Sequence, residues 1–306
     1  MMAEIVQTSE LPITVMTPTY NRASTLPRVY ESLLQQTFTS FEWLIVDDGS
    51  TDNTRELVQQ WIDEQKLTIR YVWQPNQHKK TAFNHGVREA HGELLVALDS
   101  DDTIEPDALA HMWSTWQQLE NREQFIGITG LCAKPNGEIV GDPYPRDVMA
   151  IPAIDMYFKY KVRGEKFGCL NTAVLRKYPF PEDIAGFVPE SLVWRRIARD
   201  GYKTLFINQV YRTYFDSQDS LSREGHSVGD KHALGLLWLA KDMVNDCLPW
   251  FKYQPKEFIK AAIRYNRFKR VLAKQGQAVP EWGQLTDWKA KLLVAITAPI
   301  ARVMYK

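Results

Sequence analysis

Short apolar runs alternate with longer amphipathic runs over the first 130 residues of the chain. Strands and helices that alternate with short connections favour βαβ units and a parallel sheet that is buried on both faces. The sequence therefore predicts an α/β fold, Rossmann-like, with a mainly parallel central sheet flanked by helices. The apolar runs are residues 13–17, 42–47, 68–73 and 94–98, and the amphipathic runs are residues 24–37, 53–65 and 81–91.

The composition is that of a globular protein in a reducing compartment. Of the 306 residues, 44% are hydrophobic and 24% are charged, which excludes a disordered chain. The three cysteines are an odd number without close spacing, so they predict neither a disulfide framework nor a zinc site. The N-terminus lacks the order of a signal peptide, and a cytoplasmic location is expected.

The formal net charge of zero hides an asymmetry between the two parts of the chain. Residues 252–306 contain twelve Lys or Arg against three Asp or Glu, a net charge of about +9. Basic residues recur there at helical spacing beside apolar ones, and the apolar stretch 292–296 is too short to span a bilayer. Two interpretations are open. The basic tail binds peripherally to the anionic inner face of the cytoplasmic membrane, or it forms a helical cap packed on the preceding domain.

Polar motifs follow three of the predicted strands at the point where each strand ends. Pro18-Thr19-Tyr20-Asn21-Arg22 follows the first strand, Asp47-Asp48-Gly49-Ser50 the second, and Asp99-Ser100-Asp101-Asp102 the fourth. Ligands bind beyond the carboxyl ends of the strands in such sheets. Crowded carboxylates raise one another's pKa unless a cation neutralises them, and oxygen ligands suit Mg²⁺ or Mn²⁺. The alternative is a solvated turn that caps the next helix.

Taken together, these motifs resemble family 2 glycosyltransferases, which have the nucleotide-sugar-binding GT-A fold. The resemblance covers roughly residues 11–220 and includes Val46-Asp47-Asp48-Gly49-Ser50-Thr51-Asp52 and Asn84-His85-Gly86. It implies a metal-dependent, inverting hexosyltransferase that uses a nucleotide-diphospho-sugar, with UDP as the expected nucleotide. The implied acceptor is a hydroxyl of a saccharide or lipid-linked saccharide in bacterial surface polysaccharide (O-antigen, capsule or exopolysaccharide) synthesis.

The donor nucleotide is expected at the ends of the first, second and fourth strands. The carboxylate of Asp48 can accept the ring N–H of a uracil, and the resemblance points to it as the base reader. In the alternative interpretation, Asp48 and its neighbours only organise a turn and cap a helix. Lys80, or with less support Lys79, is expected to meet the diphosphate. The remaining residues expected to bind the donor are Thr17, Pro18, Thr19, Tyr20, Arg22, Asp99 and Ser100.

A divalent ion, Mn²⁺ or Mg²⁺, is expected beside the fourth strand. Asp101 is the first choice as its ligand, because Asp99-Ser100-Asp101 aligns with the Asp-x-Asp signature of the family. Asp102 is a competing ligand. The ion would bridge both phosphates and stabilise the charge on the departing nucleoside diphosphate.

Inverting transfer also needs a general base that deprotonates the acceptor hydroxyl. The family places this acid before a helix that ends in a Gly-aromatic step, and counting back from Gly201-Tyr202 selects Glu190. Pro189 replaces the usual first acid of the pair, and the intact pair Glu182-Asp183 lies slightly upstream. Glu190 is preferred because the helix after it matches the family.

A segment that closes over the donor is the least specific expectation. Residues 211–214 and 217–223 are candidates for it, with Arg223 or His226 near the diphosphate. The alternative is a plain surface loop.

The predicted domains are a GT-A catalytic domain, residues 1–228, and a basic, mostly helical extension, residues 229–306. The catalytic domain divides into a nucleotide-binding half, 1–105, and an acceptor half, 106–228. A sugar-phosphate nucleotidyltransferase is disfavoured, because residues 18–22 contain no glycine for a phosphate loop. A non-catalytic nucleotide-sugar or glycan-binding subunit stays open because of Pro189. No nucleic-acid-binding module is recognised.

Overall fold

The computed structural model describes residues 11–184, 186–215 and 230–305. They form two compact units that are interleaved along the chain. The first unit contains described residues 11–152, 162–179 and 200–215, and the second contains residues 153–161, 180–184, 186–199 and 230–305. The predicted domain boundary at 228/229 lies outside the described residues and stays a prediction.

The first unit is built on a nine-stranded sheet. In chain order its strands are β1 (Leu11–Thr19), β2 (Phe41–Asp47), β3 (Ile69–Trp73), β4 (Gly92–Ala97), β5 (Thr103–Ile104), β6 (Phe125–Ala133), β7 (Val148–Ile151), β8 (Lys166–Asn171) and β9 (Lys203–Thr213). The α-helices of the chain are α1 (Leu26–Leu34), α2 (Thr54–Glu64), α3 (Lys79–Glu89), α4 (Ala108–Gln118), α5 (Ala153–Phe158), α6 (Thr172–Leu175), α7 (Ser191–Arg199), α8 (Ala233–Lys241), α9 (Pro255–Lys274) and α10 (Trp288–Met304).

The sheet is parallel in its first half and mixed in its second. Strands β3, β2, β1 and β4 pair in this order and are all parallel. Next to β4 come β8, β6 and β9, of which β8 is antiparallel to both of its neighbours, and β9 also pairs antiparallel with β5 and β7. The predicted α/β fold with a mainly parallel sheet is confirmed, since β6 and β9 are also parallel to each other, and β5, β7 and β8 are antiparallel to the strands they pair with.

Both faces of the parallel half are covered by helices. On one face Tyr30 of α1 stacks on Trp61 of α2, with ring centroids 4.5 Å apart, and Trp61 stacks on Trp43 of β2. On the other face α3 approaches β1 so closely that a Cβ at Gly86 would lie 2.0 Å from the Met16 sulfur. Every residue of β2 is buried, as expected for a strand covered on both sides.

The second unit is mainly helical and has its own core. Phe158 of α5 packs on Phe258 of α9, and both are fully buried. The buried carboxylate of Asp242 lies 2.9 Å from Arg195 and 2.7 Å from Arg199 of α7. Proline begins α9 at Pro255, a position that suits a residue without a backbone N–H.

Across residues 11–184, 186–215 and 230–305, none of the helices is both long and apolar enough to cross a membrane.

Candidate functional site

The carboxyl ends of β1, β2 and β4 lie at one edge of the sheet. Thr19 of β1 is opposite Asp47 of β2, and Met16 of β1 is opposite Ala97 of β4. Because these strands are parallel, the polar motifs that follow them emerge on the same side. The predicted meeting of the three motifs at this edge is therefore present in the structure.

The turns after β1 and β2 are held together by hydrogen bonds. Asn21 adopts a left-handed conformation with φ of 52°, and its backbone N–H donates to the hydroxyl of Ser50 at 2.9 Å. Its side-chain oxygen accepts from the backbone N–H of Thr51 at 2.8 Å. Asn tolerates this backbone region better than other side chains do, which explains the residue type. The two turns thus form one fixed rim of the site.

The hydroxyls of Thr17 and Thr19 have different environments. The Thr17 hydroxyl accepts a hydrogen bond from the Trp43 indole N–H at 2.9 Å inside the core. The Thr19 side chain is 3% exposed, and its hydroxyl has no hydrogen-bond partner in the described part of the chain. A buried hydroxyl without a partner is costly. The Thr19 hydroxyl can therefore still form a hydrogen bond to a ligand, whereas the Thr17 hydroxyl already bonds to Trp43.

The other residues predicted around the base lie on the outer side of this rim. Tyr20 is exposed, and Pro18 and Arg22 are half-buried. The backbone N–H of Arg22 donates to the hydroxyl of Thr54 at the start of α2, at 3.3 Å. These positions stay predictions for donor contacts.

A chain of hydrogen bonds orients the carboxylate of Asp48. Its Oδ1 accepts from the Gln74 side-chain amide at 2.7 Å and from the Gln77 backbone N–H at 2.9 Å. The Gln74 amide oxygen lies 2.8 Å from Nδ1 of His85 on α3. Asp48 is 4% exposed, and no described residue forms a hydrogen bond to its Oδ2. One carboxylate oxygen is therefore held by the protein while the other is left for a donor group of a ligand.

Arg212, near the end of β9, neutralises the acidic cluster after β4. One guanidinium nitrogen lies 3.4 Å from Asp99 and 3.2 Å from Asp102, and the other lies 3.4 Å from Glu165. The guanidinium also faces the ring of Phe167, at 5.2 Å from the ring centroid. The crowded carboxylates require a counter-charge, and the sequence analysis expected it from a metal ion. The structure supplies part of it through the buried guanidinium of Arg212.

Asp99 and Asp102 respond to this cation in opposite ways. Burial alone would raise the pKa of Asp99, but Lys79, at 2.7 Å, and Arg212 outweigh it and hold that pKa below its usual range. Asp102 is 1% exposed, and burial raises its pKa to about 7 although Arg212 and the backbone N–H of Phe215 oppose the shift. Both oxygens of Asp102 are engaged, one by Arg212 and one by Phe215 at 2.9 Å.

Asp101 is the acid of this cluster whose carboxylate is not engaged by the protein. Its backbone carbonyl accepts from Arg28 at 2.8 Å, whereas the carboxylate has no hydrogen bond or ion pair with any described residue. Ser100 is buried beside it. The described residues contain no group of three or more His, Cys, Asp or Glu side chains that could hold a metal ion. A single free carboxylate fits Mg²⁺ or Mn²⁺ only where phosphate oxygens and water complete the shell.

The two lysines at the start of α3 have different surroundings. Lys79 is exposed and forms the ion pair with Asp99, whereas Lys80, which the sequence favoured for the diphosphate, is buried. Lys79 therefore lies against the acidic cluster, and the predicted role of Lys80 stays a prediction.

Sequence reasoning missed Arg212 as the partner of the acids. It assigned residues 211–214 to a closing segment or a surface loop, and this is wrong for residues 211–213, which end β9. The run of β-branched and aromatic residues from Thr204 onward is the strand signal that could have found it. Residues 217–223 and His226 lie outside the described residues.

Both candidates for the general base are exposed positions of the second unit. The backbone carbonyl of Glu190 accepts from Val193 at 3.0 Å, so Glu190 stands directly before α7 as the sequence predicted. Glu182 and Asp183 are exposed as well. Phe180 and Trp194 pack edge to face and join the segment that carries both candidates to α7.

Replacement of Arg212 tests whether its buried charge stabilises the acidic cluster. We expect Arg212→Met to lower the free energy of unfolding by about 3 kcal/mol at pH 8, because the buried Asp102 loses its counter-charge. In the Asp102→Asn background the same substitution should cost at least about 1 kcal/mol less. Urea unfolding of the four proteins measures this coupling.

The exposed pair Lys134 and Glu138, 2.9 Å apart, is the matched control. Its coupling energy should stay below about 0.5 kcal/mol, since exposed ion pairs contribute little. Additive effects of the Arg212 and Asp102 substitutions would contradict the assignment.

Part of the chain matches a known family. Residues 14–140 match the family model for glycosyl transferase family 2. A GalNAc(5)-diNAcBac-PP-undecaprenol beta-1,3-glucosyltransferase of Campylobacter jejuni is 27% identical over 273 residues, 86% of this chain and 82% of the relative. An uncharacterised glycosyltransferase of Nostoc is 38% identical over 107 residues, 35% of this chain and 33% of the relative.

Solved structures show the same fold. S. aureus TarS 1-349 in complex with UDP-GlcNAc superposes with a TM-score of 0.61 at 18% identity, covering 96% of this chain and 91% of that chain. A mannosyltransferase of Pyrobaculum calidifontis in complex with GDP-Man and Mn²⁺ gives a TM-score of 0.56 at 21% identity, covering 96% and 81%. With its motifs at one sheet edge, this chain has the GT-A fold, and its residues 14–140 match glycosyltransferase family 2.

Proposed function

We propose that the protein transfers a sugar, with inversion, from a UDP-sugar to a hydroxyl of a saccharide or lipid-linked saccharide. The observation that carries this proposal is the pair of unengaged carboxylate groups at one sheet edge, Oδ2 of Asp48 after β2 and the carboxylate of Asp101 after β4. The first is suited to a base N–H and the second to a cation that carries a diphosphate.

The base is proposed to bind against the rim formed by the turns after β1 and β2. Oδ2 of Asp48 accepts the ring N–H of uracil, because Gln74 and Gln77 already occupy Oδ1. The unpartnered hydroxyl of Thr19 is placed to bind the same nucleotide, since the backbone N–H of Asp48 donates to the Thr19 carbonyl at 2.8 Å. The UDP-GlcNAc complex of TarS supports a uridine nucleotide in this fold.

The diphosphate is proposed to lie over the acidic cluster, where Asp101 is the ligand of Mn²⁺ or Mg²⁺. A bound divalent ion supplies charge neutralisation for the leaving nucleoside diphosphate. Asp102 is a poorer ligand than Asp101, because Arg212 and Phe215 engage both of its oxygens. Asp99 is held by Lys79 and Arg212, and we assign it to the ribose or the donor sugar.

Glu190 is proposed as the general base. It takes the proton of the acceptor hydroxyl, the acceptor oxygen bonds to the anomeric carbon, and the bond from that carbon to the phosphate oxygen breaks. A single in-line displacement of this kind inverts the anomeric centre and gives a β-linkage from an α-linked donor.

The acceptor class rests on the relatives. The Campylobacter relative is named for an undecaprenol-linked substrate, and a chondroitin synthase of Escherichia coli is 38% identical over 97 residues, 32% of this chain and 14% of that protein. We therefore place the reaction in bacterial surface polysaccharide synthesis. The basic C-terminal helices are proposed to bring the chain to an anionic membrane surface, at the inner face of the cytoplasmic membrane.

A non-catalytic nucleotide-sugar-binding subunit is the second candidate function. Pro189 favours it, because it stands where the family has the first acid of its catalytic pair. Slow hydrolysis of the donor distinguishes the two functions, since a binding subunit holds the donor without turning it over.

Mn²⁺ and UDP should stabilise the protein through Asp101. A ligand at a hundred times its dissociation constant adds about 2.7 kcal/mol to the free energy of unfolding. We expect Mn²⁺ with UDP to raise the melting temperature by several degrees more than UDP alone, about 2–4 °C per kcal/mol. Asp101→Asn should abolish that metal-dependent increment in a thermal-shift assay.

Asp147→Asn is the matched control, an exposed Asp of the first unit that should keep the full increment. If the metal-dependent rise in melting temperature is unchanged in Asp101→Asn and lost in Asp102→Asn, the metal ligand is Asp102 instead.

Replacement of the base should reduce turnover and leave donor binding intact. We expect Glu190→Gln to lower the rate of Mn²⁺-dependent UDP-sugar hydrolysis by about 100-fold or more, because water then has no proton acceptor. The nucleoside diphosphate released from a panel of UDP-sugars measures the rate. UDP should stabilise the variant as it does the wild type.

Glu182→Gln is the matched control and should keep the wild-type rate. The reverse result would place the base at Glu182. Binding of every donor without any release by the intact protein would favour the non-catalytic subunit.

A further inference from the structure

Helix α10 presents a broad apolar side to solvent. Large apolar side chains recur along it at a spacing of four or three residues, which places them on one side of a helix. Their exposed fractions lie between 46% and 73%. They are Trp288, Leu292, Ile296, Ile300, Val303 and Met304.

The opposite side of α10 is packed within the second unit, which fixes the direction of the exposed side. Ala290, Val294 and Ala301 are buried. The side-chain amide of Asn266 on α9 donates to the Val294 carbonyl at 2.8 Å. The orientation of the helix is therefore fixed, and the exposed side chains cannot turn inward.

Basic residues border this apolar side, and acids do not occur on the helix. Placed at 3.6 residues per turn, Lys291 and Arg302 lie together along one border of the apolar side, and Lys289 lies within that side in the first turn of the helix. All three are exposed. The sequence of residues 288–304 contains no Asp or Glu. An apolar side with a positive border and no acid has the chemistry of a helix that binds an anionic lipid interface.

Helix α9 differs from α10 in this respect. Its apolar side chains, Phe258, Ala262, Tyr265 and Phe268, are buried in the core of the second unit. One of the two interpretations of the basic tail had the apolar side of this helix on a membrane, but these four side chains pack in the protein core. The exposed apolar surface lies on α10 instead.

We propose that α10 lies flat on an anionic bilayer, with its apolar side among the acyl chains and its basic residues at the lipid headgroups. With 17 residues it is about 25 Å long at 1.5 Å per residue, and it lies in the interface because its other side stays packed on α9. Trp288, at the first position, has the side chain that favours the membrane–water boundary.

A second copy of the chain fits this surface less well than a bilayer does. Two copies related by a two-fold axis would bring the same surface together. Lys289, Lys291 and Arg302 would then meet their own counterparts, and the helix has no acid to neutralise them. Anionic headgroups supply the missing negative charge.

This inference rests on the proposed function, in which the acceptor is linked to a membrane lipid. Membrane binding itself is measured without donor or acceptor. Co-sedimentation with vesicles of equal parts phosphatidylglycerol and phosphatidylcholine gives the partition coefficient. We expect the wild-type protein to bind these vesicles, to bind pure phosphatidylcholine at least about tenfold more weakly, and to lose binding as salt rises.

Two variants of α10 test the two components of the surface. Leu292→Ser with Ile296→Ser should reduce partition at least about tenfold through lost apolar contact. Replacement of Lys289, Lys291 and Arg302 by Gln should reduce it on the order of 100-fold. Val148→Ser is the matched control, an exposed apolar residue of β7 that should bind like the wild type.

All substituted side chains are exposed, so unchanged melting temperatures should show that the variants are folded. Wild-type partition by the folded α10 variants, or no vesicle binding by the wild type, would overturn the inference. A concentration-dependent dimer that Leu292→Ser with Ile296→Ser abolishes, without vesicle binding, would assign the surface to a second copy. UDP-sugar hydrolysis by these variants should stay at the wild-type rate, so that a failure of membrane binding is separate from a failure of the proposed reaction.

Discussion

A single buried guanidinium permits the acidic turn after β4 to exist at the edge of the sheet. Arg212 lies within 3.4 Å of Asp99, Asp102 and Glu165, which come from two separate parts of the chain. Without a cation, the carboxylates would repel one another in a region of low dielectric. Arg212 engages Asp102, whereas the carboxylate of Asp101 is not engaged by any residue that the structure describes. The geometry proposed for catalysis therefore begins with an ion pair that belongs to the fold.

The base end of the site is organised by hydrogen bonds rather than by charge. Asp48 is fixed by Gln74, which in turn contacts His85 on α3, and α3 is held against β1 by the close approach at Gly86. A carboxylate oriented in this way needs little reordering when a nucleotide binds, which lowers the cost of association. The protein thus contains two local sites of different character. After β2 lies a carboxylate with a fixed orientation, and after β4 lies an acidic turn whose charge is partly neutralised.

The first half of the fold and its motif positions could be predicted because they depend on local sequence. Strand and helix periodicity up to residue 98 placed Asp48 and Asp101 at strand ends, and parallel pairing brought those ends to one edge. The second half depends on pairings between distant residues, such as β6 with β9, which no local pattern specifies. The same limit hid Arg212, whose partners lie 47 to 113 residues away. Thr17 was assigned to the nucleotide although its hydroxyl serves Trp43 in the core, because strand ends alone do not reveal which face a side chain occupies.

Discrimination between uracil and cytosine tests the nucleotide site most directly. In the proposed site, uracil would present a ring N–H to Asp48, whereas cytosine would present a lone pair at the same position. Titration calorimetry with Mn²⁺ should give a dissociation constant for UDP at least about tenfold lower than that for CDP, a difference of about 1.4 kcal/mol. In Asp48→Asn the preference should vanish, because an amide can accept from uracil or donate to cytosine. Equal affinity for UDP and CDP in the wild-type protein, or an undiminished preference in Asp48→Asn, would contradict a base site at the end of β2.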